Sequence, residues 1–124
     1  MPNSGNIRSF RDLRIWSSGI RLAKQTYNLT EKFPKKETYG LASQMQRAAV
    51  SIPSNIAEGH IRAHTKEFAQ FLHMSLGSYA ELETQVIIAK ELGYITEEEH
   101  GQFLKSIEDE SKQIRSLILR LSNP

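Results

Sequence analysis

The chain has 124 residues, 16 Lys+Arg against 14 Asp+Glu, 39% hydrophobic residues and no cysteine, which fits one soluble globular domain. Without Cys it can form no disulfide framework, thiol nucleophile or zinc site built on thiolates. The longest uncharged run, between Ala48 and Glu58, is too short and too polar to span a bilayer, and no apolar stretch follows Met1 as a targeting peptide would require, so a cytoplasmic product is expected.

Residues 1–8 are expected to be disordered, with one helical domain over 9–122. The first helix is predicted to follow Ser9-Phe10-Arg11-Asp12, a Ser-x-x-acid start that can satisfy free backbone N–H groups. Leu13, Trp16, Ile20, Ala23 and Tyr27 then recur at steps of three and four and are expected to form its buried seam. Ile15, Leu22 and Leu29 widen the apolar face beside it. Pro34 biases Phe33 away from helical dihedrals, which places the end near Lys32.

Thr38 is the expected N-cap of a second helix running to about Glu58, with Gly59 as a left-handed C-cap. Its seam is Leu41, Met45, Ala48, Ile52 and Ile56. Ala42, Ser43, Ala49, Ser51, Ser54 and Ala57 cover much of the remaining surface, so close contact on more than one side is expected. Pro53 removes one N–H inside this helix and crowds the preceding turn, predicting a kink near Ala49 to Pro53. Ser51, Ser54 and Asn55 can satisfy the disturbed backbone, and Asn55 is read as a structural residue.

A turn at His60-Ile61-Arg62-Ala63-His64 leads into a third helix capped by Thr65. It carries Phe68, Phe71, Leu72, Leu76, Tyr79, Leu82, Val86, Ile87 and Ala89 and stops near Leu92-Gly93. The fourth opens with Thr96-Glu97-Glu98-Glu99, a capping box with acids at the positive end of the helix dipole. It continues through Phe103, Leu104, Ile107, Ile114, Leu117, Ile118 and Leu121. No strand-like alternation competes, and short connections predict an all-α, antiparallel up-down-up-down four-helix bundle.

Enzyme signatures are missing. There is no G-x-S-x-G elbow, phosphate-binding Gly-rich loop or H-E-x-x-H. Glu58, Glu81 and Glu83 are the acids such a bundle could bury, and the two Glu-x-x-His pairs of a di-iron site are absent. His60 and His64 stand four apart but fall in a turn. No catalytic residue, metal or cofactor is expected.

The near-balanced charge divides unevenly along the chain. Residues 1–62 hold ten Lys/Arg against four Asp/Glu, and residues 63–124 hold six against ten. This asymmetry either docks helices or subunits against one another or provides an electrostatic footprint for a polyanion. Arg14, Arg21 and Lys24 lie outside the first helix's expected seam, while Arg47 and Arg62 bracket the second helix. These five are the candidate nucleic-acid contacts, acting through phosphates and giving salt-sensitive binding with little sequence selectivity. The structural alternative pairs Arg47 with Glu58, Glu81 or Glu83.

The run Tyr39-Gly40-Leu41-Ala42-Ser43-Gln44-Met45-Gln46-Arg47-Ala48-Ala49-Val50-Ser51-Ile52-Pro53-Ser54-Asn55-Ile56-Ala57-Glu58-Gly59 resembles the hallmark of a bacterial four-helix bundle family. That family is named after proteins encoded in intervening sequences of 23S ribosomal RNA genes. Phe10-Arg11-Asp12-Leu13 with Trp16, Lys66-Glu67-Phe68, Gly77-Ser78, Glu81-Leu82-Glu83 and Leu92-Gly93-Tyr94-Ile95 extend the likeness over residues 8–121. The resemblance implies a ring-like homopentamer without enzymatic activity, and marks Pro53, Asn55, Glu58 and Gly59 as motif residues. A homologous branch, the accessory protein of diversity-generating retroelements, implies RNA or DNA and a reverse transcriptase or other protein as partners. Two departures matter: Gln46 replaces the first of a frequent arginine pair, leaving Arg47 alone, and Ile61 stands where a small residue is common. The alternative to nucleic-acid binding is a protein-interaction scaffold.

Overall fold

The structure, a computed structural model, describes residues 8–122. A 3-10 turn at Phe10–Asp12 precedes helix α1 (Arg14–Thr30), and a second 3-10 turn at Lys35–Glu37 precedes α2 (Leu41–Ile61), α3 (Thr65–Glu91) and α4 (Glu97–Ser122). Among the described residues the architecture is all-α without strands, and no helix is long and apolar enough to cross a membrane. The expectation for residues 1–8 falls mainly outside the described residues; Arg8 itself is exposed and its N–H donates to Asp12 at 2.8 Å.

Helix α2 packs against α1 on one side and α3 on the other, while α4 packs against α3 and α1. One core results. Leu22, Met45, Ile52, Ile56, Leu72, Leu82 and Ile114 are wholly buried, each stabilising the fold by about 1.5–3 kcal/mol of removed apolar surface.

The expected seam of α1 is shifted: Leu13, Trp16 and Ala23 pack against the core only as its partly buried edge. The buried residues of the helix include Ile15, Gly19, Leu22, Thr26 and Leu29, whereas Ile20 and Tyr27 are close to half exposed. Two members of the true seam, Gly19 and Thr26, are not strongly apolar, and this hid it. Gly19 admits Pro53 of α2, since a Cβ there would lie 3.2 Å from the proline Cδ. The Thr26 hydroxyl is buried without loss because it donates to the Leu22 carbonyl at 2.8 Å.

Ser9 and Asp12 form the expected capping box, but it caps the 3-10 turn rather than α1. Two backbone N–H groups, those of Arg8 and Ser9, hold the Asp12 carboxyl below its ordinary range. The Thr96–Glu99 box forms as expected, each side chain bonding the other residue's N–H at 3.0 and 2.9 Å. Thr38 and Thr65 do not cap their helices; the positions belong to Gly40 and His64. Helix α3 stops at a Schellman motif, with Gly93 at φ 78° and Tyr94 N–H donating to the Ala89 carbonyl at 2.9 Å.

Gly59 is not a C-cap. Helix α2 continues through it to Ile61, and the left-handed residue of the following turn is Ala63 at φ 62°. Gly59 is needed for proximity instead: its α-carbon faces Phe68 and Phe71 of α3 with no room for a side chain. Pro53 is accommodated inside the same helix. Around it the Ser54 hydroxyl and the Asn55 amide each donate at 2.8 Å to the carbonyls of Val50 and Ser51. The Ser75 hydroxyl of α3 donates to the Ile52 carbonyl at 2.9 Å. Asn55 thus bonds the backbone of its own helix.

Candidate nucleic-acid interface

The five cations named from the sequence lie in different surroundings. Arg14, Arg21 and Lys24 are exposed on α1, Arg47 is exposed on α2, and Arg62 lies at the exit of α2. Arg62 is neutralised locally, donating to Glu58 at 3.1 Å and Glu67 at 3.4 Å while its guanidinium sits 5.1 Å from the Phe71 ring centre. Glu58 therefore acts on Arg62 and not on Arg47.

Arg21 donates to the Ser18 hydroxyl at 3.2 Å and lies close enough to Glu110 of α4 to act on its charge. One end of α1 away, Lys32 forms an ion pair with Glu99. The cations are eleven residues apart on one side and the acids eleven apart on the other, in reverse chain order. Part of the charge asymmetry is therefore spent within the bundle, drawing α1 and α4 together.

Of the acids named from the sequence, Glu58 and Glu81 are exposed and Glu83 is half-buried, as is Glu110 of α4, which faces the core residue Tyr79. The Tyr79 hydroxyl donates to Glu110 Oε1 at 2.7 Å. Burial nevertheless raises the Glu110 carboxyl, outweighing the lowering by Tyr79 and Arg21. Burial likewise pushes the Tyr79 hydroxyl well above the ordinary phenol range. The Tyr79–Glu110 contact joins residues 31 apart through helix packing, and no local spacing in the sequence points to it.

Arg47 has no ion pair or hydrogen bond among the described residues. It lines an open hollow with Tyr27 of α1 and Ser43, Gln46, Val50 and Ser54 of α2. Gln46, the departure from the arginine pair, turns instead to α1 and donates to Thr30 Oγ1 at 3.0 Å. Exposed cations without a partnering acid therefore remain at Arg14, Lys24 and Arg47. They can meet phosphates by charge. Among the described residues no three or more His, Asp or Glu gather as a metal site would require.

Residues 11–116 match the family described as 23S rRNA-intervening sequence protein. The chain belongs to that family. Its fold is also that of a crystal structure from Bacteroides thetaiotaomicron, described as a protein of unknown function from the S23 ribosomal protein family. The two share 20% identity and a TM-score of 0.75, with 84% of this chain and 97% of the other covered. No curated protein matches. Neither description names a catalytic activity.

Proposed function

We propose that this family member is a non-catalytic, cytoplasmic bundle that binds structured nucleic acid or a ribonucleoprotein through basic residues of α1 and α2. The observation carrying this reading is that, of the five candidate cations, Arg14, Lys24 and Arg47 are exposed and without a partnering acid among the described residues. Arg21 and Arg62 are better placed as structural cations with partial access to a ligand. Such contacts act on phosphates, so affinity falls steeply with salt and depends little on sequence. A reverse transcriptase remains a candidate protein partner through the homologous branch.

Residues 9–122 are proposed to form one antiparallel bundle domain that assembles as a homopentamer. The Lys32–Glu99 ion pair and the electrostatic action of Arg21 on Glu110, taken in reverse chain order, support the antiparallel arrangement. Ile20, Tyr27 and Val50 are 44%, 48% and 42% exposed, and this apolar surface across α1 and α2 supports a further copy packing there. The light-scattering mass should be five times the 14.1 kDa of one chain; a monomeric mass contradicts the ring. Retention of RNA or duplex DNA by the purified protein at low salt tests the binding reading, and no retention overturns it.

The internal ion pairing of Lys32 with Glu99 favours a second reading, a protein-interaction scaffold whose charge asymmetry serves docking alone. Arg47→Ala separates the two: loss of the assembly assigns Arg47 to a subunit contact, whereas loss of nucleic acid from an intact assembly assigns it to binding.

A further inference from the structure

Charge in this bundle is polarised by position along the helices more sharply than by chain half. The Tyr79–Glu110 hydrogen bond and the approach of Arg21 to Glu110 put α1, α3 and α4 level with one another near their middles. Lys32–Glu99 and Lys90–Glu97 fix one end relative to that level. The opposite end then brings together the entry to α1, the α2–α3 turn and the last turns of α4. Arg11 lies ten residues before Arg21, Lys66 thirteen before Tyr79 and Arg120 ten beyond Glu110. At 1.5 Å per helical residue Lys66 and Arg120 stand roughly 15–20 Å from the middle, and Arg11 lies toward the same end in the 3-10 turn that enters α1.

The two ends differ in sign. Residues 8–14, 58–67 and 115–122 hold seven Lys/Arg against three Asp/Glu. Residues 31–40 and 90–101, at the other end, hold four against six. All three acids of the basic end are already engaged. Glu58 and Glu67 both bond Arg62, and Asp12 accepts the Arg8 and Ser9 backbone N–H groups at 2.8 and 3.2 Å. Arg8, Arg11, Arg14, Lys66, Arg115 and Arg120 are all exposed. None of the six side chains forms an ion pair or hydrogen bond among the described residues, though Arg8 and Arg11 lie near enough to Asp12 to stabilise its charge. Arg11 rests its guanidinium 5.3 Å from the Phe10 ring centre.

We propose that this end of the bundle is a second phosphate-contacting surface, formed by Arg8, Arg11, Arg14, Lys66, Arg115 and Arg120, and that its ligand is the backbone of a nucleic-acid duplex. The inference rests on the nucleic-acid reading above: it shares Arg14 with the earlier candidates, includes the end where Arg62 is held by its acids, and adds a face that Arg21, Lys24 and Arg47 do not include. The cations come from three separate chain segments, so they are spread over a bundle end rather than along one helix. Such a spread suits the regularly spaced charges of a duplex. Phe10 and Trp16 are turned to one another at 5.5 Å between ring centres and are not free platforms for unpaired bases. Contact through phosphates alone follows, and it is insensitive to base sequence.

The test measures fluorescence anisotropy of a labelled 20-base-pair DNA duplex of mixed sequence with the full chain between 50 and 200 mM salt. It compares the wild type with Arg11→Gln/Lys66→Gln/Arg120→Gln and with Lys24→Gln/Arg47→Gln. Vesicles containing an anionic phospholipid form a further arm. All substituted side chains are exposed, and circular dichroism melting checks that both variants remain folded. The expected result is at least about tenfold weaker duplex binding by the triple variant, with the log–log salt slope smaller by about three. Unchanged affinity and slope in the triple variant, with binding lost in the double variant, overturn this surface and leave the proposed function standing. No duplex binding by the wild type at 50 mM salt overturns both. Vesicle binding without duplex binding also overturns the proposal.

Discussion

A Cβ placed on Gly59 of α2 would lie 2.5 Å from the Cβ of Phe71 on α3. Real Cβ atoms do not approach so closely, and here a side chain anchored near its own backbone would have to move. Phe68 Cδ1, at 3.2 Å, closes the same space. Helix propensity favours Ala over Gly by about 1 kcal/mol, yet Gly59→Ala is expected to destabilise the protein by about 1–3 kcal/mol because overpacking dominates. Gly77, within α3, has nothing within 4 Å of such a Cβ. Gly77→Ala is therefore expected to stabilise by about 0.5–1 kcal/mol. Urea melts of the two variants check the pair, and equal shifts of the same sign contradict the assigned α2–α3 contact.

Ala63 occupies the left-handed region at φ 62° between α2 and α3. This conformation costs an L-residue about 1–2 kcal/mol and glycine almost nothing. Part of the gain is offset by glycine's greater freedom when unfolded. Ala63→Gly is expected to stabilise by up to about 1 kcal/mol, read as a higher denaturation midpoint at unchanged slope. A lowered midpoint would show that the Ala63 methyl group contributes more than the strain costs.

Two carboxyls make opposite contributions to pH dependence. Burial first of all raises Glu110 above its ordinary 4.5, so the native state holds its proton more tightly than the unfolded chain. Stability from this group falls as pH rises from about 4.5 through the higher native value. Glu37 is lowered, chiefly by the Leu41 N–H and then by the Tyr94 hydroxyl, which donate to it at 3.1 and 2.8 Å. Its contribution is present above 4.5 and is lost as pH falls through the lower native value. Glu110→Gln should therefore raise the melting temperature at pH 7 relative to wild type and narrow that advantage by pH 4. Glu37→Gln should lower it at pH 7 and converge with wild type in acid. Parallel melting curves across that range would contradict both assignments.

The sequence carried the helices better than the faces they bury. Thr96 and Glu99 announced α4 correctly because a capping box is a local device whose partners are three residues apart. Ser9 and Asp12 formed the same device, but Leu13 turns extended after it, at ψ 127°, and α1 starts only beyond. The shift of the α1 seam away from Ile20 and Tyr27 follows from Gly19 and Thr26, where a missing side chain and a self-satisfied hydroxyl do what periodic apolar residues do elsewhere. Gly59 shows the same limit: its chain position suits a cap, while Phe71, twelve residues on, decides its role. At the candidate interface the cations were legible and their partners were not. Lys32 meets Glu99 from 67 residues away, a pairing fixed by helix packing and invisible to local spacing. Arg47 is named with four other cations and with Glu58, Glu81 or Glu83 as alternative partners, and none of these acids pairs with it among the described residues.

The most direct measurement is the salt dependence of wild-type binding to a duplex, followed by anisotropy at equilibrium. If exposed cations of this bundle hold phosphates, log affinity falls linearly with log salt, with a slope of about −0.9 for each phosphate neutralised and no preference between unrelated sequences. Absence of binding at low salt, or binding that salt does not weaken, would contradict the account.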